Sequence, residues 1–387
     1  MVGTGIRVEI VPGFPGTLDD LAERLPCGRN FLRAAWYEAT SAGDPRTVLA
    51  TRADGSPVAA IPTASVGPPL VGARSVPGSY WPFRSILIAA DAHVRELTEL
   101  LSEPAVRRTL SPVWRVGPVL RDDSASRMLK HAAADAGWTV LMKTLGRTWE
   151  LDLAELVKDG AWPRKSTRRR MANYARQLGT RGPVGVRFVT GSDWNSATLE
   201  ELAAVESNSW VGKETDGSGA KFLTSDKRTL WHRALQDHQI AKGLSATILT
   251  VAGEPAAFSF DLRAGVKQYS IASSYDDRFA FARVGTIVTY RQLEWAAAQG
   301  VEVVDLGAGD SGYKREMGAR AGSEVVDLLF VRNRSMAKML SLKWGAESEL
   351  ARGIFQSSDH ARRRRKRIVG QFVAAGAIAG TAIAASE

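Results

Sequence analysis

The sequence predicts an α/β protein with two domains of similar size, and three observations support this prediction. The chain has 387 residues, which exceeds the usual length of one domain. Helix-like and strand-like segments alternate along it, and their order in the first half returns in the second. The apolar fraction of 44% is ample for two cores. We therefore predict domains at 1–150 and 151–345, followed by a tail at 346–387.

The first half predicts a helix followed by a β-meander and further alternating elements. A helix is predicted over 30–41, and a hairpin over 46–64, where Asp54-Gly55 is a strong turn signal between two apolar runs. The Gly- and Pro-rich stretch 66–83 predicts a long ordered loop. The later predicted elements are strand 85–89, helix 92–101, strand 113–117, helix 124–136, and strands 138–145 and 148–152.

A basic segment joins the two halves. Pro163 near its start and Gly179 near its end predict a helix within 161–180, on which Met171, Tyr174 and Leu178 share one apolar face. The second half then predicts strand 184–190, helices 198–209 and 226–239, a hairpin over 245–263, strand 266–274, helix 285–299 and strand 301–306.

The net charge of +10 is concentrated in two places, 164–181 and 362–367. Two local patches do not make a nucleic-acid footprint, so nucleic acid is not an expected partner. A phosphorylated small molecule or an anionic membrane surface fits the charge equally well. On the basic helix, Arg168 and Arg169 are therefore candidate phosphate ligands, with a solvated basic face as the alternative.

The C-terminal tail and the N-terminal segment indicate where in the cell the protein is expected. The basic run 362–367 precedes the uncharged, Ala- and Gly-rich stretch 368–385, which is either a marginal membrane-associated segment or a loose extension. The single cysteine, Cys27, excludes an intrachain disulfide, and the charged residues within 1–12 are not typical of a signal peptide. We expect a cytoplasmic protein that can associate with the inner face of the membrane.

The most informative stretch is 301–318, an apolar strand that runs into a glycine-rich turn ending in Tyr313-Lys314. The glycines let the chain bend closely around a ligand, and the lysine supplies a compact positive charge suited to phosphate or to developing negative charge in acyl transfer. A simple turn with a solvated lysine is the alternative.

Other chemistry finds little support in the sequence. The five histidines are scattered, and His232 and His238 are six residues apart, so no metal site is expected. The Gly-x-Ser-x-Gly and Gly-Lys-Ser/Thr motifs are missing, which argues against a hydrolase of that type and a P-loop nucleoside triphosphatase.

The segment from about 162 to 318 resembles the acetyltransferase-like domain of the CelD/BcsL group in the GNAT superfamily. This group is related to the FemABX aminoacyl transferases, which carry two GNAT-like domains. Four stretches carry the resemblance: the basic helix at 165–170, the Glu, Trp and Lys stretch at 206–213, the glycine before a helix in 275–290, and the strand and glycine loop at 305–318. The family pattern Gln/Arg-x-x-Gly-x-Gly/Ala is matched here only in part, by Ala282-Arg283-Val284-Gly285-Thr286-Ile287.

The resemblance implies tandem GNAT-like domains, each a mixed, mostly antiparallel sheet flanked by helices. It also implies direct acyl transfer from acyl-CoA, such as acetyl-CoA, as co-substrate and without a metal. The acceptor would be an amine or hydroxyl of a sugar, peptidoglycan-type or other small envelope precursor, as in polysaccharide biosynthesis. Sugar-linked and nucleotide-linked acceptors both fit this description.

The resemblance assigns catalytic roles to four residues. Glu206 or Asp305 would act as the general base, and Lys314 would stabilise the oxyanion. Tyr313 would protonate the leaving thiolate or only pack.

Binding roles fall on two further groups of residues. Arg283, Gly285 and Thr286, at a helix start, would hold the donor's diphosphate. Trp210 and Lys213 would face the acceptor. Two alternatives stay open: a non-catalytic module that binds a phosphorylated ligand or a membrane partner, and a FemABX-type enzyme that takes its donor from aminoacyl-tRNA.

Overall fold

The computed structural model describes residues 5–26, 28–40, 43–67, 72–160, 162–214, 219–309 and 312–344. Cys27 and the tail 346–387, with its predicted membrane-associated stretch, lie outside the described residues. The described residues form two compact units. The first unit contains residues 5–25, 32–147 and 323–344, and the second contains residues 26–31 and 148–322.

The helices and strands follow one another in this order: β1 (Arg7–Pro12), α1 (Thr17–Glu23), α2 (Ala34–Glu38), β2 (Arg46–Thr51), β3 (Pro57–Val66), β4 (Ala73–Ser75), β5 (Leu87–Ile88), α3 (Val94–Ser102), α4 (Pro104–Thr109), β6 (Val113–Leu120), α5 (Ser124–Asp135), β7 (Thr139–Asp152), α6 (Leu153–Val157), α7 (Lys165–Gly179), β8 (Val184–Thr190), α8 (Ser196–Ser207), α9 (Trp210–Glu214), α10 (Ser225–Ala234), α11 (His238–Gly243), β9 (Leu244–Val251), β10 (Glu254–Ala264), β11 (Lys267–Tyr275), α12 (Val284–Ala298), β12 (Val303–Ala308), α13 (Tyr313–Glu316), β13 (Arg320–Val331) and α14 (Arg334–Trp344). Short 3₁₀ turns span Gly191–Asp193 and Asp277–Ala282.

The first unit is built on a mixed sheet with the strand order β1-β2-β3-β4-β6-β13. The β4/β6 pair is parallel, and the other neighbours in this order run antiparallel. The predicted hairpin at Asp54-Gly55 is confirmed as β2 and β3, which pair with Val48 opposite Ile61. Gly55 adopts a φ of +83°, which favours glycine because a Cβ makes this conformation strained.

The second unit is built on a sheet with the order β7-β12-β11-β10-β9-β8. The β11/β12 pair is parallel, and the other neighbours run antiparallel. Helices α12 and α7 cover one face: Val284 and Val288 of α12 and Leu178 of α7 are fully buried in one apolar cluster. Met171 and Tyr174 pack against that cluster, so the predicted apolar face of the basic helix is confirmed.

An aromatic cluster fills the other face of the second sheet. Phe258 and Phe260 of β10 are fully buried there against Phe222 and against Trp231 of α10. The rings of Trp231 and Phe260 meet edge to face with centroids 4.8 Å apart, a geometry that aromatic pairs favour. Both faces of β10 are therefore covered, and this strand forms part of a rigid centre.

The predicted fold class, an α/β protein with mixed, mostly antiparallel sheets flanked by helices, is confirmed. Three element predictions were wrong in detail. Within the stretch 66–83, predicted as a loop, residues 73–75 form the strand β4 and pair with β3 and β6. The helix predicted over 226–239 is two helices, because Asp237 caps α11 by accepting from the Ile240 amide at 2.9 Å. The strands predicted at 138–145 and 148–152 are one strand, β7. Residues 323–344, which the sequence-based domain limits place in the second domain, pair and pack in the first unit.

Within the described residues, no helix is both long and apolar enough to cross a membrane.

Candidate functional site

The second sheet opens where β11 and β12 separate. These parallel strands pair at three positions only, and the last pair is Tyr269 opposite Asp305. Beyond this pair β11 continues along β10 to Tyr275, whereas β12 continues along β7 until Ala308 lies opposite Thr148. We refer to this opening as the fork. A crevice beyond the carboxyl ends of parallel strands is a common ligand site in sheets flanked by helices.

A β-bulge in β11 lies close to the fork. On the partner strand β10, Phe260 lies opposite Ala272 and Asp261 lies opposite Ser270, so Ile271 is an extra residue without a partner. A bulged residue leaves the regular ladder and bends its strand. Here the bulge follows the last β11/β12 pair by two residues, which is where the two strands part.

Asp305 marks the closed end of the fork and is fully buried. Its Oδ1 accepts from the Gly307 amide at 2.9 Å, and its Oδ2 lies 3.5 Å from the Lys267 Nζ. Burial raises the pKa of Asp305 to about 6, although the Lys267 ammonium opposes the rise. A carboxylate with this pKa is largely ionised at neutral pH and is more basic than an ordinary aspartate.

Lys267 and Glu150 complete an acidic and basic cluster around Asp305. Lys267 Nζ lies 2.7 Å from Glu150 Oε1, and their side chains are 19% and 32% exposed. The pair therefore reaches from the buried carboxylate toward solvent. Sequence reasoning missed both residues, because Glu150 lies opposite Asp305 in the β7/β12 register and no local motif shows this pairing.

The face around Lys267 also receives the second unit's separate segment, 26–31. Tyr269 Oη donates to the Gly28 carbonyl at 3.0 Å, and the Phe31 ring lies edge-on to the Tyr269 ring. The Lys267 ammonium lies 5.2 Å from the centre of the Tyr269 ring, within cation–π range. Tyr269 is thus held rigidly beside the closed end of the fork.

Lys314 is buried in α13 and holds the glycine loop that follows β12. Its Nζ donates to the carbonyl oxygens of Gly307 and Gly309 at 3.0 Å each, with the Ala308 carbonyl at 3.4 Å. These bonds turn the loop around the ammonium, so the geometry gives Lys314 a loop-shaping role. Direct contact with an oxyanion stays a prediction. The neighbouring Tyr313 is 45% exposed.

Glu206 is the second predicted general base, and its carboxylate is already engaged. Oε1 accepts from the Lys221 amide at 2.8 Å, and Oε2 accepts from the amides of Phe222 and Leu223 at 2.6 and 3.1 Å. Three backbone donors on a buried carboxylate anchor the segment that leads into α10. The role of Glu206 as a general base stays a prediction.

The predicted donor-binding residues lie at the start of α12. Arg283 is exposed and adopts a left-handed φ of +50°, and Thr286 is exposed one turn on. A Cβ on Gly285 would lie 2.9 Å from Cδ1 of Tyr275, the last residue of β11. Glycine at this position therefore lets the first turn of α12 pack closely on the open end of the fork.

The predicted acceptor residues lie beside the connection between β11 and α12. Lys213 Nζ forms an ion pair with Asp277 Oδ2 at 3.1 Å, and Asp277 begins the 3₁₀ turn of that connection. Trp210, on the same short helix as Lys213, is 50% exposed.

The basic helix α7 approaches the same connection. The Arg181 guanidinium lies 5.4 Å from the centre of the Phe281 ring in the 3₁₀ turn. Arg168 and Arg169 are exposed, and Arg168 Nε donates to the Pro163 carbonyl at 2.7 Å. Residues 160–192 contain eight basic and no acidic side chains, so this part of the unit has a strongly positive surface.

A second buried carboxylate, that of Asp261 on β10, was also not predicted from the sequence. Its Oδ2 accepts from Ser259 Oγ at 2.7 Å and its Oδ1 from Ser270 Oγ at 2.8 Å. Burial raises the pKa of Asp261 to about 6. The available signal was an acidic residue inside the apolar run Ala256–Leu262 of a predicted hairpin strand.

A shallow cleft of about 310 Å³ lies at the other edge of the second sheet. Trp194, His232 and His238 are among its lining residues, so the structure brings together two histidines that the sequence separates. Within the described residues, no group of three or more metal-ligating side chains could hold a metal ion.

Comparison with known proteins identifies one segment of the chain that resembles a known family. Residues 165–315 match the family model described as an acetyltransferase (GNAT) domain. This segment is therefore similar to a GNAT-type acetyltransferase domain. It contains the fork, α7, the start of α12 and all four predicted catalytic residues.

Solved structures resemble the chain over most of its length. FemX has a TM-score of 0.58 at 12% identity, covering 86% of this chain and 99% of its own. The C-terminal domain of a putative lysylphosphatidylglycerol synthetase from Agrobacterium fabrum has a TM-score of 0.52 at 13% identity, covering 84% and 92%. L-PGS from Bacillus licheniformis has a TM-score of 0.50 at 15% identity, covering 84% and 93%. Identities this low show the fold alone. No curated protein sequence matches the chain.

Proposed function

We propose that the protein is an acyl-CoA-dependent acyltransferase of the CelD/BcsL type, which transfers an acyl group directly to an amine or hydroxyl. The proposed acceptor is a sugar, a peptidoglycan-type unit or another small envelope precursor. The observation that carries this proposal is the fork with the buried carboxylate of Asp305 at its closed end. The fork provides an opening between two strands, which suits an extended donor. The carboxylate of Asp305, which can act as a base, lies next to this opening.

The donor would lie along the fork with its diphosphate at the start of α12. Arg283 offers an exposed guanidinium there, and the first amides of this 15-residue helix point toward the same end. The thioester would then enter between β11 and β12, where the strands no longer pair with each other. Backbone groups at such an opening can accept or donate hydrogen bonds to an extended chain.

The transfer step needs one base and one route for a proton. The acceptor nitrogen or oxygen attacks the thioester carbonyl and gives its proton to Asp305; the new C–N or C–O bond forms as the C–S bond breaks. The thiolate leaves and takes a proton from Tyr313 or from water. Because the pKa of Asp305 is about 6, the carboxylate is ionised at neutral pH and still basic enough to assist. The Lys267–Glu150 pair offers the proton a route to solvent.

The first test is calorimetric binding of acetyl-CoA, a longer acyl-CoA and free CoA, each at two salt concentrations. We expect saturable binding to the wild type that persists at the higher salt and weakens in Arg283→Ala. Lys242→Ala, which removes an exposed cation from α11, is the matched control and should bind like the wild type. Lys314→Ala should weaken binding through the loop that it holds. Failure of every thioester to bind would overturn CoA dependence and leave the aminoacyl-tRNA-dependent enzyme or the non-catalytic module as the better account.

A second candidate is an enzyme that takes its acyl group from aminoacyl-tRNA. The observation that favours it is the basic surface formed by α7 and its flanking residues, where eight cations occur between residues 160 and 192 without an acidic residue. This candidate predicts that charged tRNA binds in a salt-dependent way and that Arg169→Glu with Arg170→Glu weakens it. Binding of CoA thioesters without binding of tRNA would remove this candidate.

A further inference from the structure

The strongest unexplained feature is the polar cluster around Asp261 in the interface between α12 and the second sheet. Thr247, Asp261, Gln268 and Gln292 are each at least 98% buried, and Ser259 is 95% buried. Within the described residues, the Gln268 and Gln292 amides and the Thr247 hydroxyl have no hydrogen bond of ordinary geometry. A set of buried polar groups of this size costs stability, so its presence calls for a role that apolar packing does not supply.

The two hydroxyls bound to Asp261 differ in what they connect. Ser259 belongs to the same strand, two residues away, so its bond stays within β10. Ser270 belongs to β11, so its bond crosses from one strand to the next. Only the second bond constrains the position of β11.

The cross-strand bond lies between the bulge and the fork. Ser270 directly precedes the unpaired Ile271 and directly follows Tyr269, the last residue that pairs with β12. A bulge disrupts the ladder locally, so the path of β11 here is set less by backbone pairing than elsewhere. A side-chain bond at 2.8 Å to a fully buried carboxylate supplies the missing constraint.

We propose that Asp261 is a positioning residue that fixes the bulge of β11 through Ser270 and thereby sets the width and direction of the fork. The proposal rests on the proposed function for its effect on catalysis, since the fork is the donor site there. The side chain of Gln292, on α12, also lies near the Asp261 carboxylate. Asp261 thus acts on the donor site through β11, without touching the donor.

The structure offers a matched pair of variants for the test. Ser270→Ala and Ser259→Ala each remove one hydroxyl from the same carboxylate, but only the first removes the bond to β11. Hydrogen exchange of the full-length protein should show the Ile271 and Ala272 amides exchanging about fivefold or more faster in Ser270→Ala than in Ser259→Ala. Ser270→Thr keeps the hydroxyl and should restore slow exchange.

Kinetics extend the same comparison to the donor site. Ser270→Ala should raise the KM for the acyl donor about fivefold with little change in kcat, and Ser259→Ala should leave both near the wild type. Equal melting temperatures for the two alanine variants would separate this effect from a general loss of stability.

The outcomes distinguish this inference from the function on which it rests. Equal exchange at Ile271 and Ala272 in the two alanine variants would overturn the positioning role, whatever the enzyme's substrate. A selective increase in exchange in Ser270→Ala, with no thioester bound by any variant, would retain the role for Asp261 and reject the proposed donor. A KM change shared equally by both variants would also contradict the inference.

Discussion

Two buried carboxylates, Asp261 and Asp305, lie on opposite faces of the same sheet close to the fork. Asp261 faces α12, where it meets Gln292. Asp305 follows Val304, which packs in the apolar cluster of α12, so Asp305 points to the other face because side chains alternate along a strand. Both are fully buried, and burial raises the pKa of each to about 6.

The surroundings of the two carboxylates differ in their charges. Asp261 accepts hydrogen bonds from two neutral hydroxyls, which hold it in place but give its proton no charged path outward. Asp305 meets Lys267, which is partly exposed and paired with Glu150. Burial and a raised pKa therefore do not identify a general base by themselves. The neighbours that can pass a proton to solvent make the distinction, and they support the proposals that Asp305 is the base and that Asp261 positions β11.

The largest expected effect is on the rate of acyl transfer. Asp305→Asn removes the proposed base while keeping the shape of the side chain, so kcat should fall by about 10²- to 10⁴-fold at pH 7.5. Steady-state kinetics with the acyl donor that binds in calorimetry would measure this loss.

Asp261→Asn is the matched control for that measurement, since it makes the same change in an equally buried carboxylate. We expect its kcat to stay within about tenfold of the wild type, because the residue acts on the fork rather than on the acceptor. A loss as large as that of Asp305→Asn would erase the distinction between the two carboxylates.

The sequence allowed most of the fold to be predicted because its signals are local. The Asp54-Gly55 turn and the apolar face of α7 depend on residues near one another in the chain, and both predictions were confirmed. The break between α10 and α11 was missed because Asp237 acts as a cap inside a run that has helical composition. β13 and α14 were not predicted at all, although β13 is an apolar strand paired to β6 across about 200 residues of sequence.

The candidate site was predictable only in part for a related reason. The glycine loop with Lys314 is a local motif, and the structure does place it directly after β12. The role of Lys314 was harder to infer. Its ammonium donates to carbonyl oxygens of its own loop, and the sequence motif does not show these bonds. Lys267, Glu150 and Asp261 depend on strand register, which pairs residues that are distant in sequence.

The next prediction concerns how the stability of the protein depends on pH. The folded pKa of Asp261, about 6, lies above the unfolded value of about 3.9, so its contribution to stability is complete below about pH 4 and is lost as the pH rises through 6. Asp261→Asn cannot ionise. It should therefore be more stable than the wild type by about 3 kcal/mol at pH 8, with little difference at pH 4. Urea unfolding at the two pH values measures this.

Asp305→Asn should gain a similar amount of stability at pH 8. The pKa of Asp305 is also about 6, and this value already includes the opposing effect of the Lys267 ammonium. A gain at pH 8 that is no larger than the gain at pH 4 would contradict a raised pKa for Asp305.

The smallest predicted effect tests Lys267 directly. Its ammonium opposes the rise in the pKa of Asp305, so Lys267→Met should raise that pKa further. The acidic limb of the pH profile of kcat/KM should then move to higher pH by about one unit, while activity at pH 8.5 falls much less than at pH 6. Lys267→Arg keeps the charge and should leave the limb near its original place. An unmoved limb in Lys267→Met would mean that the group titrating in the rate is not the carboxylate beside Lys267, and the assignment of catalysis to Asp305 would fail with it.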